Sequence, residues 1–142
     1  MSEAHDRQGH GVSTSSSETG TFKMFDVRPP YLGFGDHRAE SEIMTVKLKK
    51  YEQGGENRMH HHLGEDHCFV VLDGEATFRL GTDDNTHVVR KYDGILLERG
   101  ADYWFENTGD VDLVMLRVGA LDRSKPQHAA FTDGSMKHGR KD

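Results

Sequence analysis

The chain is predicted to be all-β, an antiparallel sandwich or barrel, on three observations. Short apolar stretches recur between positions 42 and 119 at roughly 8–12 residue spacing. Turn signals separate them, among them Gly54-Gly55, Asp73-Gly74 and Asp93-Gly94. No window keeps apolar residues at the three- and four-residue spacing of an amphipathic helix. About eight short strands in one domain favour a sandwich or barrel over an open sheet.

The strands follow in order. "EIMTVKLKK" alternates, with Met44, Val46 and Leu48 on a common face. "NRMHHH" comes after the Gly54-Gly55 turn, and "HCFVVLD" after "LGED". Asp73-Gly74 then reads as a two-residue hairpin turn into "EATFRL". "GTDDNT" breaks the chain before "HVVRKY", and Asp93-Gly94 precedes "ILLER". "DYWFEN" and "DLVMLRVGA" complete the series. Alternation places Tyr103, Phe105 and Asn107 on one face, with Trp104 turned away. It also places Phe69 and Val71 on the face of His67.

Outside this region the sequence changes character. Residues 1–20 are Ser, Thr, Gly and charge, and read as a disordered tail. Residues 21–41 carry aromatics on a segment interrupted by Pro and Gly, which reads as an extended arm laid over something apolar. The barrel is expected over 42–121, and 122–142 as a polar, flexible tail.

Bulk properties narrow the function. The chain has 142 residues, enough to bury a core, and its 34% hydrophobic content is low, as polar ends would make it. A net charge of −6 gives no electrostatic footprint for nucleic acid. Cys68 is the single cysteine, which suits a reducing compartment. No apolar run reaches a membrane span and no signal-peptide core is visible, so the expected location is the cytoplasm.

The richest feature is "MHHHLGEDHC", which packs four of the ten histidines into eight positions. Strand alternation turns His60 and His62 to one face and His61 to the other. His67 opens the next strand and can converge on the pair. Three imidazoles suit Fe, Zn, Mn, Ni or Cu, and leave coordination positions open, as in catalytic sites.

These residues carry a family resemblance. Gly54, five residues, His60-x-His62, four residues, His67, six residues and Gly74 resemble the first motif of the cupins, small jelly-roll barrels. His67 stands where the family usually has Glu, and Glu65, two positions earlier, is placed by alternation in the turn. A second, weaker match begins at Tyr92-Asp93, puts Glu98 at a proline position, and matches at Gly100 and Asn107. Tyr103 falls where that motif usually has its histidine ligand. The resemblance implies a cupin-type antiparallel jelly roll and one divalent ion held by His60, His62 and His67. Tyr103 then lies beside the ion as a group able to ligate it, to hydrogen-bond or to move a proton, with wall packing as the plain alternative.

The function expected is that of a metal-dependent enzyme acting on a small organic molecule, with Phe69 and Phe105 lining the substrate pocket. Three neutral histidines resemble the iron sites of cupin dioxygenases, so iron and a dioxygenase-type reaction come first. A redox-neutral lyase, isomerase or cyclase using Tyr103 for proton transfer is the second reading, and a non-catalytic binding barrel the third. Arg79 and Arg117 lie on strands and could clamp a carboxylate, although strand arginines more often face solvent. His61 and His87 read as surface residues and Cys68 as buried and inert. The aromatic arm and the open strand edges predict a homodimer.

Overall fold

The computed structural model describes residues 20–29, 35–55, 58–127 and 129–131. The tail expected over 1–20, save Gly20, lies outside the described residues, as do Tyr31 and Phe34 of the arm and positions 132–142. Among the described residues there are eleven strands and no helix. They are β1 (Gly35–Glu40), β2 (Met44–Tyr51), β3 (Gly54–Gly55), β4 (His60–His62), β5 (Glu65–Asp73) and β6 (Glu75–Leu80). After these come β7 (Thr86–Arg90), β8 (Gly94–Leu97), β9 (Tyr103–Asn107), β10 (Leu113–Leu121) and β11 (Ala129–Phe131).

All pairings are antiparallel and form two sheets. One runs β1-β2-β10-β5-β8, the other β11-β4-β9-β6-β7, with β3 added to β9. The chain changes sheet at seven of the ten connections between these strands, as the crossing strands of a jelly roll do. β1 lies in the stretch read as an arm, and β11 in the stretch read as a tail; they pair with β2 and β4.

One local expectation is corrected. Asp73-Gly74 closes no hairpin: β5 pairs with β10 and β8, whereas β6 pairs with β7 and β9. The turn instead carries the chain from one sheet to the other. Gly74 has φ +83°, and a Cβ there would lie 2.7 Å from the Asp112 carbonyl, so the corner needs glycine for both conformation and space. An Asp-Gly pair specifies a tight reversal, not the partner that each strand then finds.

β2 buries residues on both faces. Tyr51, in edge-to-face contact with Phe105, belongs to the aromatic core, so the face of Tyr51, Lys49, Lys47 and Thr45 is the inner one. Met44, Val46 and Leu48 share the outer face, as expected, and Leu48 is fully buried there. Met44 and Val46 line a surface groove there with Thr21 and Lys23 of the N-terminal segment. That segment is anchored by buried Arg38, whose guanidinium donates to Asp26 at 2.7 Å and to the Arg28 carbonyl at 2.6 Å.

The core lies between the sheets. Phe69, Phe78 and Phe105 are fully buried, with ring centroids 5.0–5.6 Å apart, and Tyr51, Val71, Leu113 and Met115 close around them. Such aromatic contacts add about 0.5–1.5 kcal/mol per pair to the burial itself. Asn107 ends β9 by donating to the carbonyls of Tyr51 and Val111 at 3.1 and 2.9 Å, tying the following turn to this core.

Candidate metal centre

β4 and β5 build the site as alternation dictates. Along β4, His60 and His62 are buried and His61 is only half-buried, its Nδ1 lying 2.8 Å from Asp102. His67 is buried on the inner face of β5, above Phe69 and Val71. The imidazoles of His62 and His67 lie 4.3 Å apart by ring centroid, and those of His60 and His62 5.1 Å. The three predicted histidines therefore meet in the interior.

The tightest donor set, however, is His62, Glu65 and His67, whose ligand atoms all lie within 4.8 Å of one another. β5 begins at Glu65, not at His67, so Glu65 is on the strand and shares the inner face with His67, contrary to its expected place in the turn. Its Oε1 lies 3.2 Å from His67 Nε2. Two ligands at right angles on one ion, each about 2.1 Å from it, would stand about 3 Å apart, so this edge fits a shared cation. His60 sits one step deeper. Its Nδ1 lies 2.9 Å from the Arg58 carbonyl and its ring packs 4.5 Å from that of Tyr103.

Glycine makes room for the carboxylate. Gly119 of β10 stands in register between Thr45 and His67, and a Cβ there would lie 2.0 Å from Glu65 Oε2. With that space open, Glu65 folds across the sheet and accepts from Thr45 Oγ1 at 3.1 Å. Burial pushes the Glu65 carboxyl up. The His67 hydrogen bond, the charges of His67 and Arg117 and the Thr45 hydroxyl outweigh it and hold the pKa down at about 2. The carboxylate is therefore ionised, as a cation requires.

Tyr103 is buried at the same place. Its hydroxyl oxygen lies 3.2 Å from His67 Nδ1 and 3.4 Å from His62 Nε2. The aromatic residues expected as pocket lining, Phe69 and Phe105, are fully buried in the core. Phe69 meets His67 edge-on at 6.0 Å, and so forms the floor beneath the polar cluster.

Other expectations divide. Arg117 does not face solvent: its side chain is 3% exposed and its Nη2 lies 3.9 Å from Glu65 Oε2. Arg79 lies on the outer face, paired with Glu106 at 2.6 Å and stacked on Trp104. Trp104 donates its indole N–H to Asp83 at 2.9 Å. His87 is exposed, as expected, while Cys68 is partly exposed rather than buried, because β5 turns it to the outer face beside Val118. Glu65 and Gly119 are the site residues that pattern reading missed, while Arg117, named as a possible carboxylate clamp, was weighed as more often facing solvent. The signal was present for Glu65, since it stands two positions before His67 and strand neighbours at that spacing share a face.

Comparison with known proteins points one way. Residues 47–119 match the family model described as Cupin domain. The cupin domain of Schizosaccharomyces pombe Cnp3 superposes with a TM-score of 0.64 at 15% identity, covering 80% of this chain and 86% of that one. A sugar phosphate isomerase of the cupin superfamily from Silicibacter pomeroyi gives 0.54 at 23% identity, over 65% of this chain and 58% of that one. A recombinant oxalate oxidase in complex with glycolate gives 0.52 at 21% identity, over 62% and 45%. No curated protein sequence matches the chain.

Proposed function

The chain belongs to the cupin domain family, and from that premise we propose that it is a metal-dependent enzyme acting on a small organic molecule inside the barrel. The observation that carries the reading is the His62–Glu65–His67 cluster, two imidazoles and one carboxylate within 4.8 Å. Two histidines and one carboxylate with further positions open is the ligand set associated with non-haem iron oxygenases, so a dioxygenase-type reaction with iron is the leading form. When bound, such an ion supplies Lewis-acid and, as iron, redox chemistry. His60, in this reading, supports the cluster from below through Tyr103 and His62.

The chain's own contribution is orientation and proton control. With Nε2 of His67 turned to Glu65, its Nδ1 faces the Tyr103 hydroxyl, which fixes the ring's tautomer and angle as partners of metal-bound histidines do. Phe69 closes the floor against water. The same phenol, in contact with both His62 and His67, favours a second reading, a redox-neutral isomerase or lyase in which Tyr103 moves a proton. The fold-level likeness to both an oxalate oxidase and a sugar phosphate isomerase accommodates either chemistry.

The test is metal content after purification without added ions, followed by oxygen consumption with a panel of small acids, thiols and sugars. Iron with substrate-dependent oxygen uptake supports the oxygenase, and turnover without uptake the redox-neutral enzyme. A protein that binds no divalent metal ends both. Tyr103→Phe is expected to lower metal affinity or turnover by about 10–100-fold if the phenol orients His67. His61→Ala, on the other face, is expected to keep the metal.

A further inference from the structure

The inner face of the first sheet is unusual in its charge. Cross-strand register sets Lys47 beside Arg117 and Phe69, and Lys49 beside Met115 and Val71. The barrel interior thus receives three cations from β2 and β10, two of them, Lys49 and Arg117, almost fully buried. On that face Glu65 is the carboxylate beside Arg117, at 3.9 Å, while Glu40 of β1, opposite Thr45, is exposed. The inward positions of the second sheet add histidine, tyrosine, asparagine and apolar groups, with no acid. A buried guanidinium costs several kcal/mol to desolvate and persists where something anionic offsets that cost.

Arg117 is incompletely repaid by its neighbours. Its Nη2 stands 3.9 Å from Glu65, about 1 Å beyond a charge-assisted hydrogen bond. Its buried Nε has no hydrogen-bond partner among the described residues. Glu65 turns its other oxygen to His67, so a single carboxylate separates the guanidinium from the edge of the candidate metal centre. A guanidinium so placed matches a planar or tetrahedral oxyanion through two parallel N–H bonds.

We infer that the molecule handled by this site carries an oxyanion, a carboxylate or phosphate, and that Arg117 grips it beside the His62–Glu65–His67 cluster. The inference deepens the metal-enzyme reading and rests on it for calling that molecule the substrate. It also carries a particular sign. Glu65 competes with the anion for Arg117 while serving the metal, so removing its charge has opposite effects on the two ligands.

The experiment is calorimetric titration of the metal-free full-length protein with malonate, inorganic phosphate and, as a neutral control, acetamide, with metal content of each variant measured separately. One oxyanion is expected to bind per chain and acetamide not at all; whichever of malonate or phosphate binds more tightly identifies the group. Arg117→Met is expected to weaken that binding at least tenfold, and Arg117→Lys less. Glu65→Gln is expected to tighten the anion several-fold and to weaken the metal. Anion affinity unchanged in Arg117→Met, weakened in Glu65→Gln, or absent in the parent protein overturns the inference. Should Arg117→Met fail to fold by circular dichroism, the Arg117→Lys and Glu65→Gln titrations decide. A parent protein that binds anion but no metal breaks the enzyme reading and leaves the anion site standing; one that binds metal but no anion does the reverse.

Discussion

The two halves of the barrel interior are built from the same strands yet solve different problems. In one half Phe69, Phe78, Phe105, Tyr51, Leu113 and Met115 interlock through ring and aliphatic contacts, with the Tyr51 hydroxyl the one polar side-chain group among the six. In the other, reached by stepping two residues along β5 and β10, the same inner face carries His67, Glu65, Arg117 and Gly119. The first half gains stability from every atom buried. The second spends some of it by holding charges that a hydrophobic core would exclude, which is what makes it the candidate functional site.

The largest effect should come from breaking the apolar half. Phe78→Ala removes a ring packed against Phe69, Phe105 and Tyr103 and is expected to cost about 3–5 kcal/mol, read as a lowered midpoint in urea unfolding. Metal bound per folded molecule should change far less. A core mutant that loses its metal while still folded would show the two halves to be one unit.

A smaller effect separates the halves by pH. Glu65 titrates at about 2 in the folded protein against 4.5 unperturbed. The unfolded chain therefore binds more protons between those values, and stability rises with pH across them. The contribution is complete above about pH 4.5 and is lost as pH falls through about 2, on the order of 3 kcal/mol in all. Acid unfolding of metal-free protein followed by circular dichroism should lose this component in Glu65→Gln. A variant with the parent's acid profile would sever Glu65 from His67 and Arg117.

The smallest expected effect lies outside both halves. Tyr92 has φ +75°, a left-handed backbone, at the position where the second cupin motif begins with glycine. It is 81% exposed, so its side chain repays little of that strain. Tyr92→Gly should stabilise by about 1 kcal/mol, raising Tm by about 4 °C, with metal and anion binding unchanged. A lowered Tm would mean that the ring contributes more than its exposure suggests.

Much of this was legible in sequence. The run of short strands and the grouping of His60 with His62 on one face, opposite His61, follow from a period of two, a local property of extended backbone. The cupin resemblance stands on the same residues and spacing. Asp73-Gly74 was legible as a turn but not as a sheet crossing, because a turn sets local direction and says nothing of the strands met beyond it.

Alternation assigns residues to faces, but only the packing of two sheets says which face is inside. Met44, Val46 and Leu48 share one face of β2, yet it is the face of Tyr51 that enters the aromatic core and turns Lys47 and Lys49 inward, while Leu48 is buried on the outer side. Glu65 joins His62 because β4 and β5, in different sheets, meet where Gly119 leaves a gap on a third strand. Arg117 reaches the same place from β10, 52 positions after Glu65. Sequence therefore determined which residues could stand on one strand face together. The tertiary structure decided which faces meet, because contacts across the barrel depend on pairing between segments far apart in the chain, which no local period encodes.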